Sequence, residues 1–267
     1  MFVDYDRVKL TTIELAQVPV AAPTFQLRHT IGYYEGTGEA PPHSEITWAH
    51  RHEPDTHPQP GNRTDLASVP SLFWSLIASY GRQTAPAVIH DSECWKVYAD
   101  QKAGVIESRE AIARRMRIDR AFRLGLRELE VAPFRSWLMW TFVSLERYQK
   151  HAVGSFVGLL LVAVFGLVLV AGAPVALFGF GLPLWIGALM LLIPLATSAI
   201  GGQWLLLIWA SYAGALLLPV VVLQVSAYLP YVLLENIIWF VVDGRRKKGS
   251  PVLGPVDVKN LQRASAT

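Results

Sequence analysis

The chain has 267 residues, 52% of them apolar and 17% charged, with a formal net charge of +3 and a sequence pI near 9.0. Its single cysteine, Cys94, excludes an intramolecular disulfide framework and a cysteine-based zinc cluster within one subunit. The basic excess is small and its arginines sit close to an apolar block, which argues for a membrane surface and against nucleic acid as the partner of that charge.

Residues 1–10 alternate charged and apolar side chains and lack the apolar run of a signal peptide, so the N-terminus is expected in the cytosol. Alternating runs at 2–6 and 25–28 predict a few short strands, and the stretch from 40 to 63, rich in Pro, His, Gly and Asp, predicts loop. Helices follow. Ser71 caps a short one ending near 80, and Pro86 opens a second to about 101. Ser108 caps a third to about 130, and a fourth runs from about 133 to 148 toward the apolar block. Strands first and helices after make residues 1–150 an α+β domain, expected on the cytoplasmic side.

On the third helix Ile112, Met116, Phe122, Leu126 and Leu129 form an apolar stripe, and Asp119 falls inside it. A buried carboxylate needs a partner, and Arg115, Arg120 and Arg123 are the cations nearby in sequence. On the second helix His90 and Asp91 lie on or beside the face marked by Ala87, Cys94 and Tyr98, where Cys94 reads as a packed core thiol. Asp65 and Ser68 occupy a loop that ends at a helix start, where their side chains can cap backbone N–H groups. Capping explains either residue alone, but not the three placements together.

The strings Thr64-Asp65-Leu66-Ala67-Ser68-Val69-Pro70, Tyr80-Gly81-Arg82 with Ala87-Val88-Ile89-His90-Asp91, and Ile118-Asp119-Arg120-Ala121-Phe122 occur in that order. Over roughly 60–130 they resemble an uncharacterised family common in phage and prophage genomes, domain of unknown function 1353, with the pattern T-D-x-A-S-x-P, H-D, A-D-x-x-F. Two departures stand out. Ile118 replaces the usual small residue before the aspartate, and a His- and Pro-rich loop replaces the strand expected before T-D. The resemblance implies no established activity, and an attached membrane bundle makes this chain look like a tethered variant.

From 152 to 242 there is no Lys, Arg or Asp, and Glu235 is the only acidic residue. A bilayer-crossing helix needs about twenty apolar residues, since about 30 Å of hydrocarbon is covered at about 1.5 Å per residue. Breaks at Gly172-Ala173-Pro174, at Thr197-Ser198 with Gly201-Gly202, and from Gln224 to Ser226 predict spans near 153–171, 175–197, 203–223 and 226–242. The expectation is an all-α transmembrane bundle of about four helices over 151–243, or fewer helices with re-entrant segments. Arg147 and Lys150 before the block and Arg245, Arg246, Lys247 and Lys248 after it place both ends inside, with 244–267 as a basic cytoplasmic tail. Trp185, Trp204, Trp209 and Trp239 supply interfacial anchors. Glu235 and Asn236 form either a polar site in the bundle or an interhelical hydrogen bond.

Carboxylates and imidazole bind divalent metals, so Asp65, His90, Asp91 and Asp119 are the candidate metal ligands and catalytic acids or bases, with a metal-bound water as nucleophile. The competing reading is a buried hydrogen-bonded network that staples the loop to two helices. His50, His52, Asp55 and His57 are a further candidate ligand set, but with no helix or strand to fix them they read first as a solvated loop, and Ser68 lacks the elbow of a serine nucleophile. Two functions follow. One is a non-catalytic module that docks a protein partner onto the membrane, and the other is a metal-dependent hydrolase at the cytoplasmic membrane face.

Overall fold

The computed structural model describes residues 1–18, 25–51, 63–64, 66, 81–200 and 203–243. Among the described residues six short strands come first: β1 (Phe2–Asp4), β2 (Leu15–Gln17), β3 (Phe25–Leu27), β4 (Ile31–Tyr33), β5 (Thr47–Ala49) and β6 (Arg63–Thr64). They form two antiparallel sheets of order β1-β4-β5 and β2-β3-β6. Phe2 faces Tyr33, Gly32 faces Trp48, and Phe25 faces Thr64 in the two registers. Gly32 is required there, because a Cβ would come within 2.6 Å of both Ile46 and the Trp48 ring. Val3, Tyr34 and Ile46 are buried together, with Met1, Ala40 and Trp48 packed against them.

The expected loop from 40 to 63 therefore contains β5 and ends on β6. Three-residue strands are fixed by the residues they face across the sheet and not by local composition, and here Trp48 packs over Gly32. The short strand β6 ends on the Thr of the T-D dipeptide itself, where Thr64 pairs with Phe25 of β3. The helix expected from Ser71 to near 80 lies outside the described residues, as does the tail from 244 onward.

α1 (Thr84–Lys102), α2 (Ser108–Glu128) and α3 (Pro133–His151) follow the expected order closely. α2 stops where Glu130 takes a left-handed φ of 59°, which lets the Leu129 and Val131 amides close on the Gly125 and Leu126 carbonyls at 3.1 and 2.9 Å. Pro133 opens α3 at a position that needs no N–H. α3 ends at Ala152, whose ψ of 73° interrupts the helix for one residue before α4.

The apolar block folds as three helical runs. α4 (Val153–Pro174) continues through Pro174 into a π-turn at Val175–Gly179. α5 (Leu184–Ile200) follows, and α6 (Trp204–Ile208) passes through a second π-turn, Trp209–Ala213, into α7 (Gly214–Asp243). The expected breaks at 172–174 and 224–226 are absent. A proline tolerated by a wide π-turn, and Gln and Ser side chains that leave backbone bonding intact, do not end a helix. Two runs, Val153–Gly179 and Trp204–Ile238, are long and apolar enough to cross a membrane.

The chain divides into two compact units. The first comprises Met1–Lys96, Leu124–Val131 and Val222–Thr267, and the second Val97–Arg123 and Ala132–Val221. Within the second, small residues bring helices close: a Cβ on Gly166 would fall 2.9 Å from Ser211 Cβ and 3.2 Å from Pro194 Cβ. Ser211 Oγ donates to the Ala163 carbonyl at 3.4 Å, and the Tyr212 hydroxyl to that of Leu191.

Candidate functional site

In the first unit, Thr64 joins two of the sequence motifs. Its hydroxyl donates to Asp91 Oδ2 at 2.6 Å and accepts the Leu66 amide at 2.8 Å, so one buried side chain both closes the turn after β6 and anchors it to α1. Leu66 takes φ 66°, a strained choice for a branched side chain that this bond and its burial stabilise. Thr64 was named within the T-D string but not as a site residue. Its signal is the T-D hydroxyl itself, paired with the aspartate of H-D, which only the fold brings together. Asp65, Ser68, His52, Asp55 and His57 lie outside the described residues.

His90 is buried, with Nδ1 3.7 Å from Asp91 Oδ1. Cys94, one turn on, places Sγ 3.6 Å from Nδ1 and 3.5 Å from Nε2 of the same ring. Near-equal distances mean that the sulfur lies against the ring and is not aimed at one nitrogen. His50 lines an open cleft of about 770 Å³ with Asp4, Lys9, Glu14, His29 and Arg51, in which His29 pairs with Glu14 at 3.1 Å.

In the second unit, Asp119 is fully buried on α2. Its Oδ2 accepts Arg147 Nη1 of α3 at 2.5 Å, and its Oδ1 lies 3.9 Å from Arg115 Nε. Arg115 Nη2 in turn lies 3.6 Å from Glu146 Oε2. Two guanidinium and two carboxylate groups thus balance, which is what two buried cations demand. The expected stripe holds at Phe122 and Leu126, which are buried, but Met116 is 45% exposed. Asp119 and not Met116 faces α3, because the Arg147 contact holds the carboxylate side of α2 inward.

His151 closes α3 beside this network. Its Nδ1 bonds to Gln101 Oε1, while Gln101 Nε2 donates to Ser108 Oγ at 2.9 Å. The proton therefore sits on Nδ1, and Nε2 turns a lone pair inward without a partner among the described residues. Burial, and next the Arg115 charge, push the imidazole down to about 4, against an opposing pull from Asp119.

Toward the apolar helices, aromatic rings form a ladder. Arg123 lies over Trp137, 4.1 Å from the ring centroid, and Trp137 stacks on Trp209 at 5.6 Å and 10°. Phe134 meets Trp209 edge-on at 5.5 Å. Asn236, in α7, donates to the Val232 carbonyl of its own helix at 2.6 Å, so its amide is used locally.

Of the four proposed ligands, His90 and Asp91 belong to the first unit, Asp119 to the second, and Asp65 is not described. His90, Cys94 and Asp119 carry atoms of the kinds a divalent ion takes. Asp119 nevertheless already neutralises Arg147, and Asp91 accepts the Thr64 hydroxyl. Arg147, His151 and Thr64 are the polar residues that spacing did not single out.

Residues 45–143 match the model of the family described as protein of unknown function (DUF1353). No curated protein and no solved structure matches the chain.

Proposed function

We propose that this protein is a membrane-anchored interaction module of phage-related type that docks a partner assembly onto the membrane. The observation that carries this reading is the condition of Asp119, the most buried of the described candidate ligands, whose carboxylate is committed to Arg147 and approached by Arg115. A metal would have to displace a guanidinium from a buried ion pair and leave it uncompensated, at a cost of about 3–5 kcal/mol. Polar groups spent on joining elements make a rigid scaffold, and binding is what a rigid scaffold supports.

Membrane attachment is supported by exposure. Only 17% and 28% of the apolar windows of the two long helices are buried, whereas the core helix of a water-soluble protein is mostly covered. Phe178, Leu184 and Leu216 are 88%, 81% and 69% exposed. The two long helices make the crossings, and both cationic flanks stay in the cytoplasm. α5 spans about 26 Å at about 1.5 Å per residue, less than the hydrocarbon core, and packs beside α4 as an embedded segment.

Metal analysis of the full chain in detergent tests the choice between docking and hydrolysis. A docking module carries no stoichiometric metal in wild type or in the Asp91→Asn variant. Stoichiometric zinc or manganese in wild type that is lost in His90→Gln and Asp91→Asn overturns it in favour of a metal-dependent hydrolase. Protease access to the C-terminal tail in sealed inverted vesicles tests the topology, and protection of the tail rejects it.

A further inference from the structure

The second unit carries a cationic surface that the docking reading leaves unused. At about 100° per residue, Arg109, Arg117, Arg120 and Arg123 of α2 fall, with Ala113 and Met116, in an arc of about 120° turned away from buried Arg115, Asp119 and Phe122. Arg109, Arg117 and Arg120 are exposed and Arg123 is half-buried, and none of the four has an ion pair among the described residues. Their acidic neighbours are engaged elsewhere: Glu110 and Asp100 with Arg114 at 2.7 and 2.9 Å, and Glu146 with Arg115. Met116 stands exposed amid these charges, an apolar group in a cationic field.

Arg123 joins this face to the aromatic ladder, and so to Trp209, five residues into the run that starts at Trp204. Tryptophans concentrate at the level of lipid headgroups. Arg123 sits over the Trp137 ring and keeps a half-exposed guanidinium, a group whose fork of N–H donors matches phosphate oxygens.

We propose that the α2 face formed by Arg109, Arg117, Arg120 and Arg123 binds the phosphates of anionic lipid headgroups, with Met116 entering the headgroup layer between them. This inference rests on the membrane reading above. The anionic leaflet supplies the complementary charge, and the ladder supplies continuity with the crossing helix.

The test uses the full chain reconstituted into phosphatidylcholine vesicles and into vesicles in which one lipid in five is phosphatidylglycerol. Lipid retained after extraction into mild detergent is quantified by headgroup. Wild type is expected to retain phosphatidylglycerol above its share of the vesicle, and high salt to remove that excess. Each arginine near an anionic surface is worth about fivefold in partition. Arg109→Gln, Arg117→Gln and Arg120→Gln combined are therefore expected to return retained phosphatidylglycerol to about its share of the vesicle, while the matching Lys substitutions keep the excess. All three sites are exposed and outside the buried network, so the variant folds, as circular dichroism checks. Unchanged enrichment in the triple Gln variant, or none in wild type, overturns the proposal, as does a nucleic acid retained by wild type and lost in the variant. A chain that floats with both vesicles but shows no headgroup preference refutes this inference alone. One that floats with neither refutes the membrane reading as well.

Discussion

The α2–α3 pair and the α4–α5 pair join helices with opposite materials. Between α2 and α3 the reach is made by long charged and aromatic side chains, Arg147 to Asp119 and Arg123 to Trp137. α4 and α5 instead meet through side chains that are hardly there, with Gly166 against Pro194 and Gly172 3.2 Å from Met190 as a Cβ would see it. In water, burial of apolar surface drives association, and a buried ion pair can specify which faces meet. In lipid that drive is absent, so contact energy has to come from close backbone approach. The difference separates specificity from adhesion: α2 is aimed by charge, and α4 adheres by fit.

Removing the aiming charge should have the largest effect. Asp119→Ala leaves two buried guanidinium groups with one fewer carboxylate and is expected to lose about 3–5 kcal/mol, read as thermal unfolding in detergent. If the variant melts with wild type, charge does not hold this pair. Overpacking attacks the other pair. Gly166→Val is expected to cost about 3 kcal/mol, with Ser211→Gly restoring part of it in the double variant. A tolerated valine would mean that α4 does not adhere through close approach.

Next comes acidity. His151 titrates at about 4 in the fold against 6.5 unfolded, so between those values the unfolded chain binds a proton that the fold refuses. Its contribution is full above pH 6.5 and is lost as the pH falls from 6.5 toward 4, about 2 kcal/mol after partial solvent screening. His151→Gln should flatten that part of the stability profile, and an unchanged slope would detach the histidine from the network. Smallest is Thr64→Val, which strips one hydrogen bond from Asp91 and another from the Leu66 amide and should cost about 1.5 kcal/mol by the same melting assay. A loss as large as that of Asp119→Ala would make the first unit the more charge-dependent of the two.

Helices were legible where local chemistry marks their ends: Pro133 opens α3, and α2 begins at Ser108. Asp119 was legible as a buried carboxylate in need of a partner, because helical spacing alone puts it among Phe122 and Leu126. Its main partner was not. Arg147 is 28 residues away on another helix, and no local periodicity encodes which distant cation arrives; Arg115, named from proximity, is the more remote of the two contacts. β5 was hidden for the same reason, since Thr47–Ala49 becomes a strand through Ile31–Tyr33. The apolar block was legible as apolar, and so was its break beside Gly201-Gly202, where α5 ends and α6 begins; the breaks at 172–174 and 224–226 were not, because proline and glutamine do not interrupt a helix whose surroundings offer no competing hydrogen bonds.

The π-turn at Trp209–Ala213 amounts to one surplus residue wound into an otherwise α-helical rod. Such a residue shifts the angular phase of everything on one side of it by about 100° relative to the other. Shortening the turn by a single position would let the rod rewind into an even spiral, and Trp209 could then no longer lie against Trp137 while Ser211 keeps Ala163. That one extra link is what allows a single helix to serve two neighbours lying at different bearings.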